Sequence, residues 1–221
     1  NWYYKNMSHK ICSAHQPAFL PWMGTIHKIA ISDVFIIMDL AKFRKRSFMH
    51  RNQIEINNDP HFVGLQVNSK SEFSLCNEVQ ISKNSPQCLN KISEKINRTY
   101  KKSKYYSDLN DFIGFTIDKC QHNDLINIYL LQLKYLCDKL DINSEIILES
   151  KILSIEDIKA LNVNQRLLEH SVRTNSEIYV TGKNSKNYLD DSIFFKNKVF
   201  HLVQDFEYGP YMNIQNSSTP L

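Results

Sequence analysis

Ile11-Cys12-Ser13-Ala14, then His15-Gln16-Pro17-Ala18-Phe19-Leu20-Pro21-Trp22-Met23-Gly24, then Asp33-Val34-Phe35-Ile36-Ile37-Met38-Asp39 decide the fold. The first run is short and apolar, as a strand entering a loop. Pro17 and Pro21 hold the next segment extended. Gly24 to Ile31 has helical spacing, with Ile26, Ile29 and Ala30 on one side. The third run is almost continuously apolar and bounded by acids, as a strand buried on both faces would be. Strand, short helix and strand within so few residues make a βαβ unit. The expected fold is therefore α/β: a Rossmann-like parallel sheet with flanking helices. Its site belongs outside the carboxyl ends of the strands.

Outward from this unit, Asn52 to Ile56 and Phe62 to Val67 alternate apolar with polar, and Asn57-Asn58-Asp59-Pro60 lies between them. That is a hairpin after the second strand. A helical insertion follows at about 84–141, with helices expected at Pro86 to Tyr100, Ser107 to Cys120 and Asn123 to Leu140. Glu145 to Leu148 reads as a strand. Ser154 caps a helix running to Arg173, with Glu156 and Asp157 in its first turn. Glu177 to Val180 and Val199 to Val203 are the remaining strands. Residues 8–221 are expected to form one α/β domain. Met7 would suit a natural start, which makes the preceding residues an extension.

The composition is globular, with 42% hydrophobic residues in 221, and no stretch is apolar for long enough to span a membrane. Without a signal-peptide pattern, a cytoplasmic location is expected. Cys12, Cys76, Cys88, Cys120 and Cys137 are odd in number and widely spaced, which argues for reduced thiols against a disulfide framework or structural zinc. Cys12 is the best-placed candidate nucleophile among them. The net charge is +4, and Lys42, Arg44, Lys45, Arg46 and Arg51 supply five positive charges with no acid among them, so the remainder is 4 − 5 = −1. Basicity confined to one loop does not make a nucleic-acid face. Interleaved with Phe43, Phe48, His50 and Asn52, it suits a site that holds phosphate and orients a ring. No metal-ligand spacing or dinucleotide fingerprint is present.

His15-Gln16-Pro17-x-x-x-Pro21-Trp22-x-Gly24, then Lys28, Asp33-Val34-Phe35, Asp39, Phe43-x-Lys45-Arg46-x-Phe48 and Arg51-Asn52-x-Ile54 resemble the opening of the WbqC-like family of bacterial proteins. The resemblance continues through Tyr100 to Tyr106, Thr181-Gly182, Tyr188-Leu189 and Phe206 to Tyr211, and so covers nearly the whole chain. The sequence departs from the family at Ala41-Lys42, where valine-glutamine is general, and at His50, where asparagine is usual. The resemblance implies a place beside the enzymes of O-antigen and lipopolysaccharide biosynthesis, as a transferase that puts glycine or a related acyl group on an amino sugar. Pro21 to His27 is also similar to the first half of the nucleotide-binding motif of pantothenate synthetases, without its second glycine-histidine pair. That similarity implies an adenylate route to the amide.

On this reading His15 is the general base and Asp39 orients it or holds the amine. Lys45, Arg46 and Arg51 take a diphosphate. Gln16, Trp22, Asn52, Tyr188, Tyr208 and Tyr211 line the substrate, with Trp22 stacking on a sugar or base. Gly182, with Lys183 and Ser185, forms a second anion cradle. No metal ligand is expected, and the donor is left open among ATP with magnesium, an acyl carrier and a coenzyme A thioester. The expected partner is a nucleotide-linked or lipid-linked sugar, with no nucleic acid and no integral membrane segment. Two other readings stand beside this one: a nucleotidyltransferase or ATP-dependent ligase, and a sugar-nucleotide-binding protein without catalysis.

Overall fold

A computed structural model describes residues 9–56, 59–68, 74–120 and 124–207. The chain divides into two compact units where the sequence pointed to a single domain with an insertion. Among the described residues, unit one holds 9–16, Met23–Leu40 and Lys139–Glu207, and unit two holds Pro17–Trp22 and those within Ala41–Asp138.

Unit one is built on β1 (Ile11–His15), α1 (Met23–Ala30) and β2 (Val34–Ile37), the βαβ unit that the opening stretch encodes. Later strands β5 (Glu145–Leu148), β6 (Ile178–Thr181) and β7 (Phe200–Val203) complete a five-stranded sheet in the order β5-β2-β1-β6-β7. Every pairing is parallel, so the fold is α/β and Rossmann-like. Alternation along the strands splits their side chains between two cores. Cys12, Val34, Ile36 and Tyr179 pack on one face with Leu167, Leu168 and Phe194, and Ile11, Ile178 and Val180 pack on the other with Ile31. Asp33 sits at the amino end of β2 and accepts the Ile11 N–H at 2.7 Å, a structural role at the end of the sheet away from the site.

The helix expected from Ser154 to Arg173 is two helices, α5 (Ile155–Ala160) and α6 (Val163–Thr174). Ser154 does cap the first, accepting the Asp157 N–H at 3.1 Å. A second capping box interrupts the run: Asn162 accepts the Gln165 N–H at 3.0 Å, and Gln165 accepts the Asn162 N–H at 2.9 Å. A further short helix, α7 (Asp191–Lys196), is started by Asp190, which accepts the Ser192 N–H.

Unit two contains the hairpin β3 (Arg51–Ile56) and β4 (Asp59–Gly64) and the helices α2 (Ser85–Tyr100), α3 (Tyr106–Lys119) and α4 (Leu125–Lys139). The three helices fall where periodicity places them, each within two residues. Asp59 and Pro60, expected in the turn, instead pair with Ile56 and Glu55 in β4. In a two-stranded ribbon both strands are edges, so a proline without an N–H is tolerated. No helix among the described residues is long and apolar enough to cross a membrane.

Candidate active site

Leaving β1, the chain builds β2 on one side and later returns to build β6 on the other. At such a reversal the connections diverge and a crevice opens beyond the carboxyl ends of the two central strands. His15 is the last residue of β1, Thr181 the last of β6, and Gly182 follows. His15 is half-buried, and its Nδ1 lies 2.7 Å from the Gln16 carbonyl. A carbonyl only accepts, so Nδ1 carries the proton and Nε2 keeps its lone pair. Burial, reinforced by the charge of Lys28, lowers the His15 pKa to about 4. The ring is therefore neutral at pH 7.

Lys28, in the opening motif, lies on α1. It is 5% exposed, and among the described residues its ammonium makes no hydrogen bond or ion pair. Burial lowers its pKa to about 8, which leaves it largely charged at pH 7. A Cβ built on Gly182 would stand 3.8 Å from Lys28 Nζ, so this cation reaches the turn after β6. Thr25 lies one helical turn earlier on the same face of α1, and its buried hydroxyl is also without a partner. The turn after β6 that reaches Lys28 arrives from far along the chain.

Asp39 follows β2 at the same end of the sheet and is 1% exposed. Its Oδ1 accepts the Ser150 N–H at 2.9 Å, while Oδ2 is buried without a partner. The orienting partner of His15 is thus Gln16, and Asp39 keeps one open acceptor. Gln204, after β7, donates from Nε2 to the Gly24 carbonyl and to His27 Nδ1, both at 2.8 Å, and so ties α1 to the end of the sheet.

The anion cradle expected at Gly182, Lys183 and Ser185 is largely committed elsewhere. Lys183 pairs with Glu207 at 3.4 Å. Ser185 is 2% exposed, and its Oγ lies 2.6 Å from Thr181 Oγ1. Thr181 Oγ1 in turn lies 2.6 Å from His201 Nε2, and His201 Nδ1 lies 2.6 Å from Asp191 Oδ1. The acceptor-only carboxylate fixes the Nδ1 proton, so in neutral His201 Nε2 accepts from Thr181 and Thr181 accepts from Ser185. This chain of bonds holds the turn in which Gly182 sits. Tyr188, at the end of that turn, is exposed. Cys12 is fully buried in the core with its thiol pKa pushed up by burial, an environment for packing and not for attack.

In unit two the loop Pro17–Trp22 is anchored from below. Phe19 is 2% exposed, and its N–H donates to the Phe48 carbonyl at 2.9 Å. Leu20 adopts a left-handed φ of 49°, held by its N–H on Gln132 Oε1 at 3.1 Å and its carbonyl on Asn52 Nδ2 at 2.6 Å. Asn52 also accepts the Gln53 N–H at 2.8 Å, so its amide is used within the protein as a strut for the loop. Trp22 is 40% exposed and Gln16 is exposed.

Arg51 is half-buried: its guanidinium donates to the Arg46 carbonyl and lies 3.9 Å from the centre of the exposed Phe62 ring, while its Nε is buried without a partner. His50 donates from Nδ1 to the Leu65 carbonyl at 3.0 Å and accepts the Arg46 N–H at 3.2 Å, and burial lowers its pKa. The histidine that departs from the family thus stitches the loop to the residue that follows β4. Lys45 and Arg46 remain exposed at its tip. Tyr208 and Tyr211 lie outside the described residues. No group of three or more His, Cys, Asp or Glu among the described residues is placed to hold a metal.

Residues 16–220 match the model of the WbqC-like protein family. The chain is also 23% identical over 197 residues to the "Uncharacterized protein Rv1507c" of Mycobacterium tuberculosis, an alignment covering 89% of this chain and 81% of that protein. No solved structure matches it. With its opening motif on β1 and α1 and a family match over most of its length, this chain belongs to the WbqC-like protein family.

Proposed function

We propose that the protein is a transferase that forms an amide on an amino sugar carried by a nucleotide, within surface-polysaccharide biosynthesis. The observation that carries this reading is the bare Nε2 of a neutral His15 at the carboxyl end of β1, beside the reversal of the sheet. The sugar amine attacks the carbonyl of an activated acyl or aminoacyl donor. The N–C bond forms, the bond from carbonyl carbon to its leaving group breaks, and the amine proton passes to His15 Nε2 and on to the leaving group. Asp39 Oδ2, an acceptor without a donor, suits the amine hydrogens.

The test is product formation. The protein is incubated with UDP- and dTDP-linked amino sugars and, in parallel, acetyl and glycyl thioesters, or free glycine with ATP and magnesium. The expected result is a nucleotide sugar heavier by one acyl or aminoacyl group. A folded protein that forms no amide with any pair overturns the reading.

A further inference from the structure

On one face of α1 the Lys28 side chain is 5% exposed and, among the described residues, no hydrogen bond or ion pair answers its ammonium, while the Thr25 hydroxyl, in a residue 1% exposed, is buried without a partner. Leaving a cation so is costly unless something answers it. Opposite Nζ stands Gly182, whose missing side chain leaves the backbone of the turn open. His15, the proposed base, closes the end of β1, and the charge that acts on it is that of Lys28. Three ammonium protons and a hydroxyl proton, beside an open glycine at a sheet reversal, match the three oxygens of a phosphoryl group. The planar pair of a carboxylate matches them less well.

We infer that Lys28, Thr25 and Gly182 form the subsite for a phosphoryl group of the substrate, and that filling it makes His15 a stronger base. This rests on the transferase reading and moves the main phosphate contact from the basic loop to α1. The coupling is electrostatic. In the empty protein the nearby cation opposes a second positive charge on His15. A phosphoryl anion on Lys28 cancels that opposition, so the base gains strength when substrate is in place.

The probe is inorganic pyrophosphate, read by the ring-nitrogen NMR shifts of His15, assigned by their loss in His15→Gln. Pyrophosphate is expected to raise the His15 midpoint from about 4 by about one unit or more. Lys28→Met is expected to raise the midpoint without any ligand, to abolish the further rise, and to weaken pyrophosphate binding at least about tenfold. Gly182→Val keeps the charge but fills the space; it is expected to weaken binding while leaving the ligand-free midpoint in place, and it stands in if Lys28→Met does not fold. Binding that is unchanged in these variants, a His15 midpoint indifferent to pyrophosphate, or an equal effect from acetate overturns the inference. A His15 shift that stands beside a silent amide assay supports the subsite and removes acyl transfer alone.

Discussion

At the residue scale, the site is defined by two basic groups whose burial weakens their hold on protons. His15 and Lys28 both lose affinity for protons on folding, and that has a consequence for stability. His15 falls from an ordinary 6.5 to about 4, so between these values the unfolded chain holds more protons. Stability contributed by the neutral ring is lost as pH falls through that window. Lys28 falls from 10.5 to about 8, so between pH 8 and 10.5 the unfolded chain again holds the extra proton. Stability therefore gains from this lysine as pH rises. Urea unfolding at pH 7 to 10 is expected to show a more positive alkaline slope in the wild type than in Lys28→Met. Identical slopes would mean that Lys28 is solvated. A second buried charge is answered in full: Glu149 accepts from Arg166 Nε at 2.7 Å and lies 2.8 Å from His170 Nε2. Burial acts to raise the Glu149 pKa, but these bonds outweigh it and hold the group below the usual carboxylate range. The contrast with Lys28 separates a structural ion cluster from a site.

At the element scale, local signals were the readable ones. The apolar run of β2, the helix period of α2 to α4 and the serine cap of α5 were all visible in sequence, because each is decided by neighbours in the chain. The break between α5 and α6 was visible too, in the Asn162–Gln165 capping box, but the long apolar period masked it. Asn162→Ala removes that cap, and a loss of about 1 kcal/mol is expected in chemical unfolding. A stability within error of the wild type would mean that packing alone sets the break. What the sequence could not disclose were contacts made across long separations. The burial of Lys28, the stacking of Arg51 on Phe62 and the use of Asn52 by Leu20 all depend on neighbours that only the folded chain brings together.

At the scale of the whole molecule, the chain assigns its two most conspicuous sequence features to different compact units. His15 and Gln16 end a strand of unit one, while the proline- and aromatic-rich segment that follows packs within unit two. The family motif thus mixes chemistry with architecture: His15 and Lys28 present functional groups, while Phe19, Asn52 and Arg51 secure the backbone. Residue type alone does not sort them, since a buried strut and a ligand contact both favour Asn, Arg and aromatic side chains. The sheet order does sort them, because the reversal between β1 and β6 marks where a ligand belongs.

The central claim is that His15 acts as the base at that reversal. The rate of amide formation by His15→Gln, measured at saturating nucleotide-linked amino sugar and compared with the wild type, tests it most directly. The account predicts a kcat lower by about a hundredfold or more, with KM for the nucleotide sugar little changed. A His15→Gln protein that turns over at the wild-type rate would contradict it.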